Sequence, residues 1–165
     1  THIIAGWLGC IVMQSLAWVK DGWDADRIAA GIESMAGRNR TYFLVDTLEY
    51  LQKGGRIGGA SALIGTMLQI KPILMIRDGK VQPFEKIRTK NAALARFKEL
   101  VEKECPRKPE AWLSVSHCSA FAAATNLANE MKTAFGFQNI PIYEVPPAIV
   151  VNGGPYILSV SFFVD

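Results

Sequence analysis

Four glycines crowd the seven residues from Lys53 to Gly59, at positions 54, 55, 58 and 59, and cations stand at Lys53 and Arg56. A glycine-rich backbone exposes N–H donors, and a helix that follows it adds its positive end. Gly54, Gly55 and Gly58 with the two cations could therefore hold an anion. A tight turn that needs glycine for its backbone angles would use the same residues. The loop lacks the Lys-Ser/Thr end of a phosphate-binding P-loop, and no strand runs directly into it as a dinucleotide fingerprint requires. Asn152-Gly153-Gly154-Pro155 poses the same choice between a plain turn and a backbone anion nest. At Arg88-Thr89 a strand ends and a helix opens, which suits a capping threonine beside a solvated arginine.

Groups for catalysis are sparse. His117 and Cys118 are neighbours in an apolar stretch read as a strand, so their side chains point to opposite faces and do not form a dyad. His2 sits at the start of the chain. Asp46, Glu49 and Glu85 flank the glycine loop without a spacing that specifies acid–base work. With two isolated histidines and dispersed acids, no metal-ligand set and no cofactor is expected. The residues read as a binding module rather than an enzyme.

The elements that must position these groups follow from periodicity and breakers. A turn is expected at Gly6 to Gly9, then a helix with Ile11, Val12, Leu16 and Val19 on one face, stopped at Gly22. Asp24 caps a second helix with Ile28, Ile32 and Met35 inward. Thr41 to Asp46 reads as a strand, Thr47 to Gln52 as a short helix, and Ala60 to Leu68 as another. Two strands, Lys71 to Arg77 and Lys80 to Ile87, flank Asp78-Gly79, a type I′ hairpin signal. Thr89 caps a long helix that turns Ala93, Phe97, Leu100 and Val101 inward. Ala111 to His117 reads as a strand, Ala120 to Phe135 as a helix, and Ile140 to Val145 as a strand. After the Pro146-Pro147 break, Ala148 to Val151 reads as a short strand and Ile157 to Val164 as the last one. Alternating strands and helices with an antiparallel hairpin mean an α/β fold with a mixed β-sheet and flanking helices.

Of the 165 residues half are apolar and a fifth charged, enough for a core. The net charge of +3 is mild and its cations are interspersed with acids, so nucleic-acid binding is not expected. Cys10, Cys105 and Cys118 share no ligand spacing; small core residues in a reduced, cytoplasmic compartment explain them. No apolar run reaches the ~18 residues of a membrane span. The abrupt apolar start at Thr1 suggests a fragment.

The string Val45-Asp-Thr-Leu-Glu-Tyr-Leu-Gln-Lys-Gly-Gly-Arg-Ile-Gly58 resembles the most diagnostic stretch of the DegV family. The likeness continues through Lys71-Pro-Ile-Leu74, Asp78-Gly79 and Lys86-Ile-Arg-Thr89. Upstream it includes Leu8-Gly9 to Asp21-Gly22, and downstream Asn152 to Pro155 takes the place of the family's His-x-Gly-Pro turn. The resemblance implies a carrier that encloses a long-chain fatty acid in an apolar tunnel between two α/β domains. Such a carrier presents the acid to a separate fatty acid kinase, which makes the acyl phosphate. It also implies that residues 1–46 end a Rossmann-like first domain and residues 47–165 form the second. Asn152, Gly153, Gly154 and Thr1 would lie at the head group, and Arg56 and Arg88 at the entrance or the kinase contact. Two departures stand out: Asn152 replaces the family's histidine, and Thr1 and Ala5 fall where the family has Ser-x-x-x-Ser. A phosphate-handling enzyme on a related fold, or an incomplete remnant of the carrier, are the alternatives.

Overall fold

A computed structural model describes residues 6–65 and 70–165. Helix α1 (Gly6–Lys20) leads to α2 (Ala25–Gly37), and strand β1 (Asn39–Val45) to the short α3 (Glu49–Lys53) and a 3-10 turn (Gly58–Leu63). The hairpin β2 (Ile73–Arg77) and β3 (Lys80–Glu85) precedes α4 (Lys90–Glu104). Then come β4 (Ser114–Cys118), α5 (Phe121–Phe135), β5 (Ile142–Glu144), α6 (Pro147–Gly153) and β6 (Ile157–Phe163). The strands form one mixed sheet in the order β3-β2-β1-β6-β4-β5, antiparallel except where β4 meets β5. The α/β class with flanking helices is as the sequence implies.

One face of the sheet carries Tyr42, Leu44, Val115, Leu158, Val160 and Phe162, packed against Phe97, Leu100 and Val101 of α4 and Leu127 and Met131 of α5. The other face is covered in two pieces. At one end Phe43, Val45, Leu74 and Ile157 meet Leu51 of α3, Ala60 and Leu63 of the 3-10 turn, and Val145. At the other end Phe163 packs with Trp7, Cys10 and Ile11 of α1 and Met35 of α2. The indole of Trp7 meets the Phe163 ring edge-on at 5.2 Å.

Several local expectations hold in detail. Asp24 Oδ1 accepts from the Arg27 N–H at 2.8 Å, and Thr89 Oγ1 accepts from the Ala92 N–H at 3.2 Å, so both residues cap their helices. Gly22 and Gly136 end helices at φ 79° and 74°, and Asp78 and Gly79 both have positive φ in the hairpin turn. His117 meets the Phe121 ring of α5 edge-on, while Cys118 joins the cluster on the opposite face.

Other expectations are corrected. No turn occurs at Gly6 to Gly9; α1 starts at Gly6, because Trp7, Cys10 and Ile11 recur at helical spacing and bury against Phe163. Gly6 has a packing reason, since a Cβ there would lie 3.0 Å from the Tyr143 ring. Of the residues read at helical spacing Ile11 is buried, whereas Val12, Leu16 and Val19 are exposed, as are Leu8 and Met13. Ala148 to Val151 is helical in α6, not a strand, because Pro147 at the first turn presets helical φ and the segment docks as a short helix. Asn152 and Gly153 therefore belong to a helix end and not to a free turn. The helix expected from Ala60 to Leu68 is a 3-10 turn from Gly58 to Leu63, and residues 66–69 lie outside the described residues. Ala111 falls in a 3-10 turn (Pro109–Ala111) before β4. β1, which precedes the 46/47 boundary, is hydrogen-bonded to both β2 and β6.

Candidate functional site

Residues almost a hundred positions apart in sequence meet where α3 and α6 touch. A Cβ on Gly54 would collide with the Asn152 side chain, and one on Gly154 would come within 2.6 Å of the Tyr50 ring. Glycine at both positions lets the end of α6 lie against the turn after α3. Gly154 also needs its φ of 88°, which other residues rarely adopt. Gly58 has φ 51° and faces the Val81 carbonyl, fixing this turn against the β2–β3 hairpin.

Beside this junction lies a cavity of about 320 Å³. At one end stand Arg56, Asn152 and Gly153, with Leu51, Ala148 and Ile149 forming the wall. Gly153 sits against Ile157 at the start of β6. From there the cavity runs along β6 toward Trp7, past Phe43 and Val81 to Thr41, Ser116 and Ser159. Its walls are mostly apolar side chains, so an extended hydrocarbon fits them better than a polar metabolite.

The charge of the junction comes from side chains. The N–H groups of Gly54, Gly55 and Arg56 donate to the carbonyls of Tyr50, Gln52 and Leu51, and the Gly154 N–H donates to Val150. Those donors close the ends of α3 and α6. Arg56 is exposed, and its guanidinium donates to the Gly54 carbonyl at 2.7 Å, with further N–H groups to offer an anion. Asn152 Nδ2 donates to the Ala148 carbonyl at 3.2 Å and keeps a second N–H. Lys53 is paired with Glu49 at 2.6 Å; the bond lowers the carboxyl pKa and raises that of the ammonium. Arg88 lies in an exposed segment before α4 and does not line the cavity. Thr1 lies outside the described residues.

A larger cavity of about 890 Å³ opens between β1 and the hairpin, bordered by Arg40, Tyr42, Arg77, Asp78 and Glu104. It is wide and charged, and of the residues singled out in the sequence it holds only Asp78 and Gly79. Tyr42 Oη donates to Glu104 at 2.8 Å there, and burial with that bond pushes the phenol pKa well up. The smaller apolar cavity collects Arg56, Asn152 and Gly153 and is the better candidate. Among the described residues no three of His, Cys, Asp and Glu are grouped to hold a metal ion, and no described helix is long and apolar enough to cross a membrane.

The sequence reading missed Trp7, Thr41, Ser116, Ser159, Ala148 and Ile149 as lining residues. A signal for two of them was present. Leu-Ser-Val-Ser occurs twice, at 113–116 and 158–161, placing serines on one face of two strands.

A family model described as an uncharacterised protein of the DegV family matches residues 1–165. A DegV domain-containing protein of Streptomyces coelicolor is 34% identical over 161 residues, which is 97% of this chain and 57% of that protein. A solved structure of a fatty acid binding DegV family protein from Streptococcus agalactiae superposes with a TM-score of 0.84 at 28% identity. The match covers 95% of this chain and 56% of that one. DegV from Bacillus subtilis, described as a fatty acid binding protein, gives 0.80 at 28% identity, again over 95% and 56%. The chain thus spans little more than half the length of the relatives it matches.

Proposed function

Because the chain belongs to the DegV family, we propose that it forms the acyl-chain cavity of a long-chain fatty-acid carrier, with Arg56 and Asn152 at the head-group end. The observation that carries this reading is the apolar cavity running from Arg56 and Asn152 to Trp7. Of β6, Ile157 and Ser159 line the cavity, and Trp7, whose ring packs on Phe163 farther along the strand, lines its other end. Each methylene taken from water contributes about 0.8 kcal/mol. The carboxylate cannot follow the tail into the apolar part without donors, and the exposed Arg56 guanidinium and the spare Asn152 N–H supply them at the mouth. Gly153 and Gly154 belong to this end by bringing α6 against Tyr50, and Thr1 is assigned to it by family resemblance alone. Asn152 in place of a histidine makes the site's affinity insensitive to protonation at that position, since an amide does not titrate.

The carrier itself does no chemistry in this reading; a separate fatty acid kinase phosphorylates the presented acid, and Arg56 and Arg88 form the cationic contact with it. The division of the chain at 46/47, into the end of one domain and most of another, belongs to the same proposal. The test is native mass spectrometry of the full polypeptide purified from a bacterial host. A mass increment of one long-chain acid is expected, reduced by Arg56→Ala. A preparation that carries no acyl ligand and takes none up from added hexadecanoic acid overturns the reading.

A further inference from the structure

Five hydroxyls share one face of three adjacent central strands: Thr41 on β1, Ser159 and Ser161 on β6, and Ser114 and Ser116 on β4. The register sets Ser161 between Thr41 and Ser114, and Ser159 opposite Ser116 in the next row. None is more than 9% exposed. Apart from Arg40 and His117, the opposite face of the same strands is apolar, as the centre of a sheet covered on both sides ordinarily is. The hydroxyl strip departs from that rule.

Its hydrogen bonding is also incomplete. Oγ of Ser114 and of Ser161 have no partner among the described residues, and neither has Nδ2 of Asn39. Ser159 Oγ reaches the Ser116 carbonyl at a long 3.4 Å, and Thr41 donates to Asn39 Oδ1 at 2.9 Å. The two unpartnered hydroxyls, Ser114 and Ser161, do not line the cavity; Thr41 and Ser159 already donate, and their oxygens keep the capacity to accept. Three of the five, Thr41, Ser116 and Ser159, line the Trp7 end of the cavity.

Building on the fatty-acid reading, we propose that this end of the cavity is a hydrogen-bonding subsite for a hydroxyl carried along the acyl chain, so that the ligand class includes hydroxy fatty acids. Among the described lining residues the one charged side chain, Arg56, stands at the opposite end, and a second carboxylate at the Trp7 end has no cation among them. A hydroxyl donates and accepts at once, which matches a row of serines and a threonine that can do either. A plain methylene chain passing Ser159 and Ser116 leaves them as they are.

The experiment compares octadecanoic acid with hydroxyoctadecanoic acids that differ only in the position of the hydroxyl, by competitive binding to the full polypeptide. For the isomers whose hydroxyl reaches the strip, the hydroxy acid is expected to bind at least as tightly as the plain acid. In a Thr41→Val/Ser159→Ala double variant the ratio of the two affinities shifts about tenfold toward the plain acid. Ser114→Ala, outside the cavity wall, leaves the ratio unchanged and controls for folding. If every hydroxy isomer is disfavoured by the same factor in wild type and double variant, the strip is satisfied by water and the proposal falls while the carrier reading stands. If neither plain nor hydroxy acid binds the wild-type protein, both fall together.

Discussion

Gly55 and Gly58 share a left-handed backbone, φ 66° and 51°, yet only Gly58 has an atom where a side chain would go, the Val81 carbonyl. Gly55→Ala should cost about 1–2 kcal/mol for the backbone alone. Gly58→Ala should cost about 3 kcal/mol, because a fixed carbonyl must move as well. Urea unfolding with an unchanged slope measures both. The buried thiols make a second residue-scale prediction. Burial pushes Cys10 up to about 11 and Cys105 up to about 12, from an ordinary 9.0. Below pH 9 both states keep these protons and nothing changes. Above it the unfolded chain loses protons that the folded one retains, so stability falls as pH rises from 9 toward 12. A plot of urea midpoint against pH should show this decline, and Cys105→Ala should make it shallower. At this scale the glycines at 54, 55 and 58 were legible because their type is unusual. The serines of the strip were not, since serine in a strand carries no signal until the register shows which serines face each other.

Caps and breakers announce elements well, and local propensity announces them badly where docking decides. Asp24, Thr89, Gly22, Gly136 and Asp78-Gly79 all do what their types suggest, because each acts on backbone within a few residues of itself and needs no distant partner. Thr89→Ala should accordingly cost about 1 kcal/mol, read from the thermal midpoint. Ile149, Val150 and Val151 read as a strand by β-branching, yet α6 is helical; its Gly154 end is held against Tyr50 and its Asn152 against Gly54, contacts invisible in a linear string. Helix α1 is the other case. It is apolar nearly all round, so periodicity cannot choose a face. The side it buries is Trp7, Cys10 and Ile11. Ile11→Ala should therefore destabilise by about 2–4 kcal/mol, and Leu16→Glu by under about 0.5 kcal/mol. Comparable losses from the two substitutions would mean that the helix is turned the other way.

At the scale of the molecule, α1 presents Leu8, Val12, Met13, Leu16 and Val19 to solvent along one side. A run of this kind binds hydrophobic dyes, and the isolated 165-residue chain should do so, with the signal removed by Leu8→Lys, Val12→Lys and Leu16→Lys together. The fold class was legible from alternating elements, and the family from the chain of matched motifs. The cavity was not, because its walls come from α1, β1, β4, α6 and β6, brought together only by the sheet order. That order has a consequence in time. β1, near one end of the chain, lies beside β6 at the other, and β6 is the strand that joins the β3-β2-β1 half to the β4-β5 half. At a synthesis rate of about 5–20 residues per second, β1 waits on the order of ten seconds with one edge open. The two halves of the sheet exist as separate pieces until β6 has been synthesised. Since β6 also floors the cavity, no ligand can guide the nascent chain before that strand is made; loading is an event that can begin only once β6 is in place.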